Sequence, residues 1–448
     1  MIHLAAALPA PDTGDTAWVL VSAALVLLMT PGLAFFYGGM VRGKNVLGML
    51  MQNYVAIGVV SVLWVLVVYS LAFGKSGFGG FAGNLHQWGL GHMNEPVVGG
   101  VGATIPPLAF VAFQLMFAVI TPALITGSTA DRFKFSSYVV FIGLWVVLVY
   151  APIAHWVFSP EGWLFQKGAE DFAGGTVVHA NAGAAGIAMA ILLGRRKGWP
   201  KERMRPHNVP YVLLGAGLLW FGWFGFNAGS SLGANNLAGY AFVNTNTATA
   251  AALLGWLIVE KLRDGHATTL GAASGAVAGL VAITPAAGFV SPVGAIFLGL
   301  IAGAVCSSCT TIKFKLGLDD ALDVGAVHLV GGVLGALLIG FFGTTKTGVG
   351  ANGIFYGGGG HLLKLQAEAV GAAVGYSFVA TMIIGFILKH TIGIRMSDEQ
   401  QMVGMDESLH AESAYDFNAL SAGSFSGSSF ATSSVLSSTL GHRTEVQA

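Results

Sequence analysis

The chain has 448 residues, of which 54% are hydrophobic and only 9% charged, against roughly 25% charged in an average soluble protein, and its mean hydropathy is +0.71. That inventory cannot cover a soluble surface, so the sequence implies a polytopic membrane protein and excludes a water-soluble enzyme or binding domain. Twenty-one Lys and Arg against twenty-one Asp and Glu leave zero net charge, which argues against a nucleic-acid partner.

The first residues, MIHLAAALPAPDTGD, lack a charged n-region and a long apolar core, so 1–14 reads as a short lead-in rather than a signal peptide. Apolar runs of about 20 residues then predict eleven transmembrane helices in an all-α integral membrane protein. They fall near 16–41, 49–74, 103–127, 135–158, 173–194, 209–233, 237–260, 268–286, 291–312, 322–344 and 366–391, with the first two and the eighth to tenth the firmest. An odd number puts the termini on opposite sides. Of 21 Lys and Arg, 17 follow odd-numbered spans or lie C-terminal, and only Lys75, Lys167, Lys346 and Lys364 fall on the other side. The positive-inside rule therefore places the N-terminus outside and the C-terminus in the cytoplasm. The Cys306-Ser-Ser-Cys309 pair sits inside an apolar span with no further ligands, and reads as helix packing, not as a metal or redox centre.

The halves echo one another. PGLAFFYGGMVRGKN closes the first span and GWFGFNAGSSLGANN the sixth; VVHANAG lies in the fifth and AVHLVGG in the tenth. This predicts two inverted five-helix repeats, about 16–194 and 209–344, plus a final helix, within a transporter domain spanning 15–392. Inverted repeats place a pathway between the halves.

Of twelve histidines, His179 and His328 lie well inside spans, and ionisable groups in hydrocarbon are functional candidates with a partner. The fifth span runs inward and the tenth outward. At 1.5 Å per residue, each histidine lies about 10 Å along its helix, so the two meet in the interior, one from each repeat. A neutral pair lets one ring donate to the bare nitrogen of the other while each keeps a second nitrogen for a guest. A helix-to-helix bond of purely structural purpose, or axial ligation of a haem, are the competing readings. Asp171 suits the N-cap of the fifth span, and electrostatic attraction of an incoming cation is compatible with that role.

At this point the motifs carry a resemblance. PGLAFFYGGMVRGKN, DFAGGTVVHANAG, WFGFNAGS, AFVNT, GLVAITPAAG and DVGAVH, in that order from Asp15 to Phe417, resemble the ammonium transporter/methylammonium permease/Rhesus family, closest to its bacterial Amt branch. The resemblance implies eleven spans with the N-terminus outside, a homotrimer in the bacterial inner membrane, and one pore per subunit, with no cofactor, no metal and no enzymatic chemistry. It also implies roles for single residues. His179 and His328 fall on the twin-histidine motif of the pore; Phe117 and Phe226 match the stacked phenylalanines of the outer gate. Phe113 and Ser230 match the outer ammonium recruitment site, Asp171 the acidic residue below it, and Thr284 an outer pathway position. Phe158 stands where many relatives have tryptophan, the better cation–π partner, so capture is weakened or Trp156 or Trp163 substitutes.

The tail, 393–417, resembles the family's regulatory segment, which touches neighbouring subunits at loops such as 195–205 and docks PII-type signalling proteins. Residues 418–448, rich in Ser, Gly and Thr, extend past the resemblance and read as disordered. The expected function is movement of ammonium or ammonia across the cytoplasmic membrane. Alternatives are an ammonium sensor signalling through its tail and a Rhesus-type gas channel; the tail and AFVNT favour the Amt branch.

Overall fold

The computed structural model describes residues 10–202 and 204–415. Most of the expected lead-in, Arg203, the end of the tail (Asp416 and Phe417) and the Ser-rich extension with Arg443 lie outside the described residues. Among those described, ten helices are long and apolar enough to cross a membrane: α1 (Thr13–Met40), α2 (Gly43–Phe73), α3 (Pro107–Thr129), α4 (Phe135–Gln166), α5 (Gly175–Leu193), α6 (Val209–Gly229), α7 (Asn236–Asp264), α9 (Pro292–Leu316), α10 (Gly325–Phe342) and α11 (His361–Thr391). Between α7 and α9 lies α8 (Thr269–Ile283), apolar but only 15 residues long. Leu20, Val62, Phe221, Ile258, Phe297 and Phe386 are among the large apolar side chains that face outward around the bundle, as a lipid solvent requires.

The span expected over 268–286, counted among the firmest, is thus the shortest of α1 to α11. At 1.5 Å per residue it covers about 22 Å of a hydrocarbon core about 30 Å thick. Pro285 lacks the N–H that would continue the hydrogen-bond ladder, so the helix stops after Ile283, with Thr284 still in helical conformation, while the apolar run continues. The chain then turns inside the bundle, where irregular backbone is tolerated only if its polar groups find protein partners. Asn244, from the AFVNT motif on α7, supplies them: its Nδ2 donates to the carbonyls of Ala287 and Val290, 2.8 Å each.

Helix starts are closed by side-chain oxygens that accept orphan backbone N–H groups, Asp12 for α1, Asn235 for α7, Thr268 for α8 and Ser291 for α9. Close crossing depends on glycine. A Cβ on Gly215 of α6 would lie 2.2 Å from the backbone nitrogen of Phe36 on α1, so this pair of helices packs backbone to backbone.

The loops sort to two ends. The segment between α2 and α3 carries a small antiparallel hairpin, β1 (Ser76–Gly77) with β2 (Ala82–Gly83), and meets the start of α1 through Asp12 N–H donating to Thr104 O. The loops after α1, α3, α5 and α9 meet at the opposite, basic end around a buried ion network. Arg196 Nη2 lies 2.8 Å from Asp319 Oδ1 and its Nη1 3.6 Å from Asp131 Oδ2. Arg42 Nε donates to Asp131 at 3.1 Å. Arg132, fully buried, donates to the carbonyls of Gly194, Ala130 and Asp319. Two short tail helices, α12 (Asp398–Val403) and α13 (Met405–His410), close this end against the chain's own loops. Asp406 accepts from Gly48 N–H at 2.8 Å, and Arg395 donates to the carbonyls of Leu193 and Arg195. Lys197 approaches Asp398 at 3.8 Å.

Burial alone would raise the Asp319 carboxyl, but the hydrogen bonds and charge of Arg196, with the Arg132 charge, hold it below the ordinary carboxylate value. Its contribution is therefore complete above the unfolded carboxylate pKa of about 3.9 and is lost as pH falls through the lower folded value. Removing one partner of such a buried pair costs about 3–5 kcal/mol. Asp319→Ala should lower the thermal unfolding midpoint of the detergent-purified protein by several degrees at neutral pH. A midpoint equal to wild type would remove the ion network from the account of stability.

Candidate functional site

α5 and α10 begin alike. Asp171, eight residues ahead of His179, accepts four backbone N–H bonds through its two oxygens, from Gly174, Gly175, Thr176 and Val177, at 2.7–3.1 Å. Asp320, eight residues ahead of His328, accepts from the N–H groups of Val324 and Gly325 and from the Ser128 hydroxyl. Each carboxylate satisfies the orphan donors of a helix start. In both helices the first turn is π-helical, Gly175–Ala180 and Gly325–Leu329, and carries the histidine. Such turns widen the ladder and recur at functional sites.

Glycines four residues after each histidine bring the two helices together. A Cβ on Gly183 would lie 2.4 Å from the backbone nitrogen of Leu329, and a Cβ on Gly332 would lie 2.8 Å from that of Ala180. With the backbones this close, the two imidazoles touch: His328 Nδ1 and His179 Nδ1 are 3.3 Å apart, and the rings stack at 5.4 Å and 24°. Both rings are buried. Direct contact leaves no room for a haem plane between them.

The Tyr37 hydroxyl lies 3.3 Å from Leu124 O and 3.4 Å from His328 Nε2. With its proton given to Leu124 O, its oxygen accepts from His328 Nε2. His328 then carries its proton on Nε2 and leaves Nδ1 bare to accept from the Nδ1–H of His179. The remaining nitrogen, His179 Nε2, is a bare acceptor, buried and without a partner among the described residues. An unpaired buried acceptor is costly, and this one is free to meet an N–H group.

The histidines sit in a column of rings. Phe117 and Phe226 pack at 4.2 Å and 33°. Phe226 lies 6.0 Å from His179, and Trp223 stacks on His179 at 5.2 Å and 19°. Beyond His328 lies a small cavity of about 60 Å³ with Phe36, Tyr37 and Val327 in its wall. At the other end of the column a cavity of about 360 Å³ opens away from the basic end, lined by Phe110, Gln114 and Phe117 of α3 with Phe158, Ser230 and Asp171. Ser230 Oγ donates to Phe226 O at 2.8 Å and keeps its lone pairs free.

The structure thus brings His179, His328, Phe117, Phe226, Phe158, Ser230 and Asp171 onto one line. Phe113 is brought near it but not into the cavity: α3 turns Phe110, Gln114 and Phe117 to the lumen at helical spacing, and Phe113 is buried behind Phe117, rings 4.9 Å apart. Trp156 and Trp163, the substitutes considered for the missing tryptophan, are not in the cavity wall. Trp156 donates to Phe81 O at 2.8 Å and packs on Tyr376. Thr284 lies deeper, where its hydroxyl accepts from the indole N–H of Trp223 at 2.8 Å and donates to Leu280 O.

Sequence reading missed Tyr37, Trp223, Asp320 and Glu170. Asp320 stands at the same eight-residue distance from its histidine as Asp171, a signal present in the sequence. Glu170 lines the outer cavity, and burial pushes its carboxyl up to about 7, against a partly compensating backbone bond from Ala351.

Thr284 therefore holds Trp223 against His179. Thr284→Val leaves the indole N–H unpaired, at a cost of about 1–3 kcal/mol, whereas Thr284→Ser keeps the acceptor. The Val variant should unfold at a lower temperature in detergent and the Ser variant close to wild type; equal midpoints for both would contradict this role.

Comparison with known proteins follows the same line. Residues 17–415 match the model of the Ammonium Transporter Family. The ammonium transporter of Mycobacterium tuberculosis is 54% identical over 439 residues, covering 91% of each chain. That of Aquifex aeolicus is 49% identical over 408 residues, covering 90% of this chain and 94% of the other. Among solved structures, Saccharomyces cerevisiae Mep2 superposes with a TM-score of 0.80 at 34% identity, covering 87% of this chain and 91% of that one. A protein described as Sensor Amt Protein does so at 0.80 and 30%, covering 89% and 98%. The ring column and its paired histidines lie in a multi-pass membrane protein that belongs to the ammonium transporter family.

Proposed function

We propose that this ammonium transporter captures the cation in the outer cavity, releases a proton there, and passes neutral ammonia along the ring column past His179 and His328. The observation that carries the reading is the buried Nε2 of His179, without a partner among the described residues, in an otherwise apolar column. Ammonium matches potassium in charge, so an apolar constriction at Phe117 and Phe226 selects by the one property potassium lacks, a proton to give up. Aromatic faces and the Ser230 hydroxyl replace part of the hydration shell during capture. In this reading Phe158 supplies the cation–π face, Phe113 braces the gate from behind, Thr284 acts through Trp223, and Asp171 adds negative charge near the mouth, joined by Glu170 as pH rises above about 7. Uptake is favoured over sensing because the relatives quoted by sequence are named as transporters, and over Rhesus-type gas conduction by the Amt-like tail.

Three finer features belong to the same proposal. Eleven spans arranged as two inverted five-helix repeats, about 16–194 and 209–344, are supported by the paired Asp-to-His spacings, the paired π turns, and the recurrence of Ile-Thr-Pro-Ala at Ile120–Ala123 in α3 and at Ile283–Ala286 after α8. An outside N-terminus and a cytoplasmic C-terminus in a bacterial inner membrane follow from the basic end. A homotrimer regulated by a PII-type protein rests on family membership, and 393–417 is the segment it would act through. An open cavity of about 790 Å³ between that tail and the basic loops, with Arg42, Lys44, His207, Asp406 and Glu412 in its wall, suits a polar partner better than lipid.

Initial-rate uptake into proteoliposomes tests capture. Ser230→Ala and Phe158→Ala should each raise the half-saturating ammonium concentration about three- to tenfold, the range of a lost cation–π or hydroxyl contact, with the saturated rate little changed. Losses equal at all concentrations would overturn the capture site.

A further inference from the structure

The loop between α2 and α3 holds a group of side chains that ammonium transport does not use. His86, His92 and Glu95 each offer one donor atom, and these atoms all lie within 4.8 Å of one another. Glu95 Oε2 is 3.4 Å from His86 Nε2, and Glu95 Oε1 is 3.4 Å from His92 Nδ1. The two imidazoles stack at 4.1 Å and 18°. We propose that His86, His92 and Glu95 form a zinc site on the outer face of the protein.

The donor set suits the metal. Zinc bonds to nitrogen and oxygen are about 2.0–2.1 Å, and a tetrahedron of that size sets neighbouring donors about 3.3 Å apart; each imidazole meets a different Glu95 oxygen at 3.4 Å, so the exposed side chains must close by a small rotation to place one donor each around the ion. Two imidazoles and one carboxylate are a borderline-soft set that zinc accepts, with one coordination position left for water or another ligand. Calcium and magnesium prefer oxygen donors and are poorly served.

The supports are ordered by local bonds. His86 N–H donates to Asn84 Oδ1, and Asn84 is tied to the end of α2 by its own backbone: its carbonyl accepts from Ser70 Oγ at 2.7 Å. Glu95 N–H closes a turn onto His92 O at 3.0 Å. His92 itself sits at φ +61° and Leu90 at +55°, the left-handed region that non-glycine residues rarely adopt. That conformation brings the His92 ring over His86. A backbone held there at a cost of order 1–3 kcal/mol fits a loop shaped to converge ligands. Because each nitrogen lone pair lies in its ring plane, bound zinc would swing the two stacked rings apart, a motion their exposure allows. All three residues are exposed, so a metal ion reaches them directly from solution. The same loop continues through Val101, in the wall of the outer cavity, into α3, so bound zinc would brace the segment leading to Phe110 and Phe117.

The test uses the full-length chain without an affinity tag, purified in detergent, stripped with EDTA and dialysed against zinc chloride. Elemental analysis should find one zinc per wild-type chain, removable by EDTA. His86→Gln and Glu95→Gln should each weaken zinc binding at least tenfold, as should His92→Asn, which keeps a residue tolerant of positive φ. All three variants should transport ammonium normally in zinc-free buffer, which separates loss of the metal from loss of the fold. Zinc retained equally by wild type and variants, or absent from wild type at saturating zinc chloride, would overturn the proposal.

Discussion

Two helix backbones that come within glycine distance of each other set two imidazoles in contact inside this bundle. Here Gly183 and Gly332, each four residues past a histidine, make that approach, and every other feature of the pathway follows from it. The crossing sets the 3.3 Å contact between ring nitrogens. With Tyr37 behind it, one arrangement of protons satisfies that contact and leaves His179 Nε2 without a partner among the described residues. Trp223 and Phe226 can then stack on a ring whose orientation is already determined.

The second constraint is that helices starting inside protein at membrane depth must close their own N–H groups. Asp171 does this for α5 with four bonds, and Asp320 does it for α10 with help from Ser128. Capping and electrostatic attraction, open alternatives for Asp171 on sequence grounds, need not compete. A carboxylate occupied by four backbone donors is fixed in place, and it still lines the cavity from which a cation would enter. The non-helical turn after α8 obeys the same rule through Asn244, which gives the AFVNT motif a physical reason.

Much of this was legible in the chain. Apolar runs located the helices, and two histidines stranded in such runs pointed to each other because they occupy matching positions, VVHANAG and AVHLVGG, in the two halves. What was not legible depends on rotation and termination. Phe113 shares the helix face of Phe110, Gln114 and Phe117, and only its packing against Phe117 keeps it out of the cavity wall, which a hydropathy run cannot show. The end of α8 was written in Thr284-Pro285, but an apolar count reads through a proline when the turn beyond it is buried. Trp156 was a plausible stand-in for the missing tryptophan until its indole was found bonded to Phe81. Tyr37 and Trp223 are distant from both histidines in sequence and ordinary in their own helices; only the fold makes them neighbours.

The central claim is that the ring column admits what can shed a proton and rejects what cannot, and that the paired imidazoles maintain that barrier. Current carried by potassium across liposomes bearing the purified protein tests it most directly, wild type beside a variant with both His179→Ser and His328→Ser. The account predicts no potassium current for wild type under a potassium gradient and a measurable one for the double variant, whose smaller hydroxyls admit water. A double variant that still moves ammonium while rejecting potassium as wild type does would contradict it.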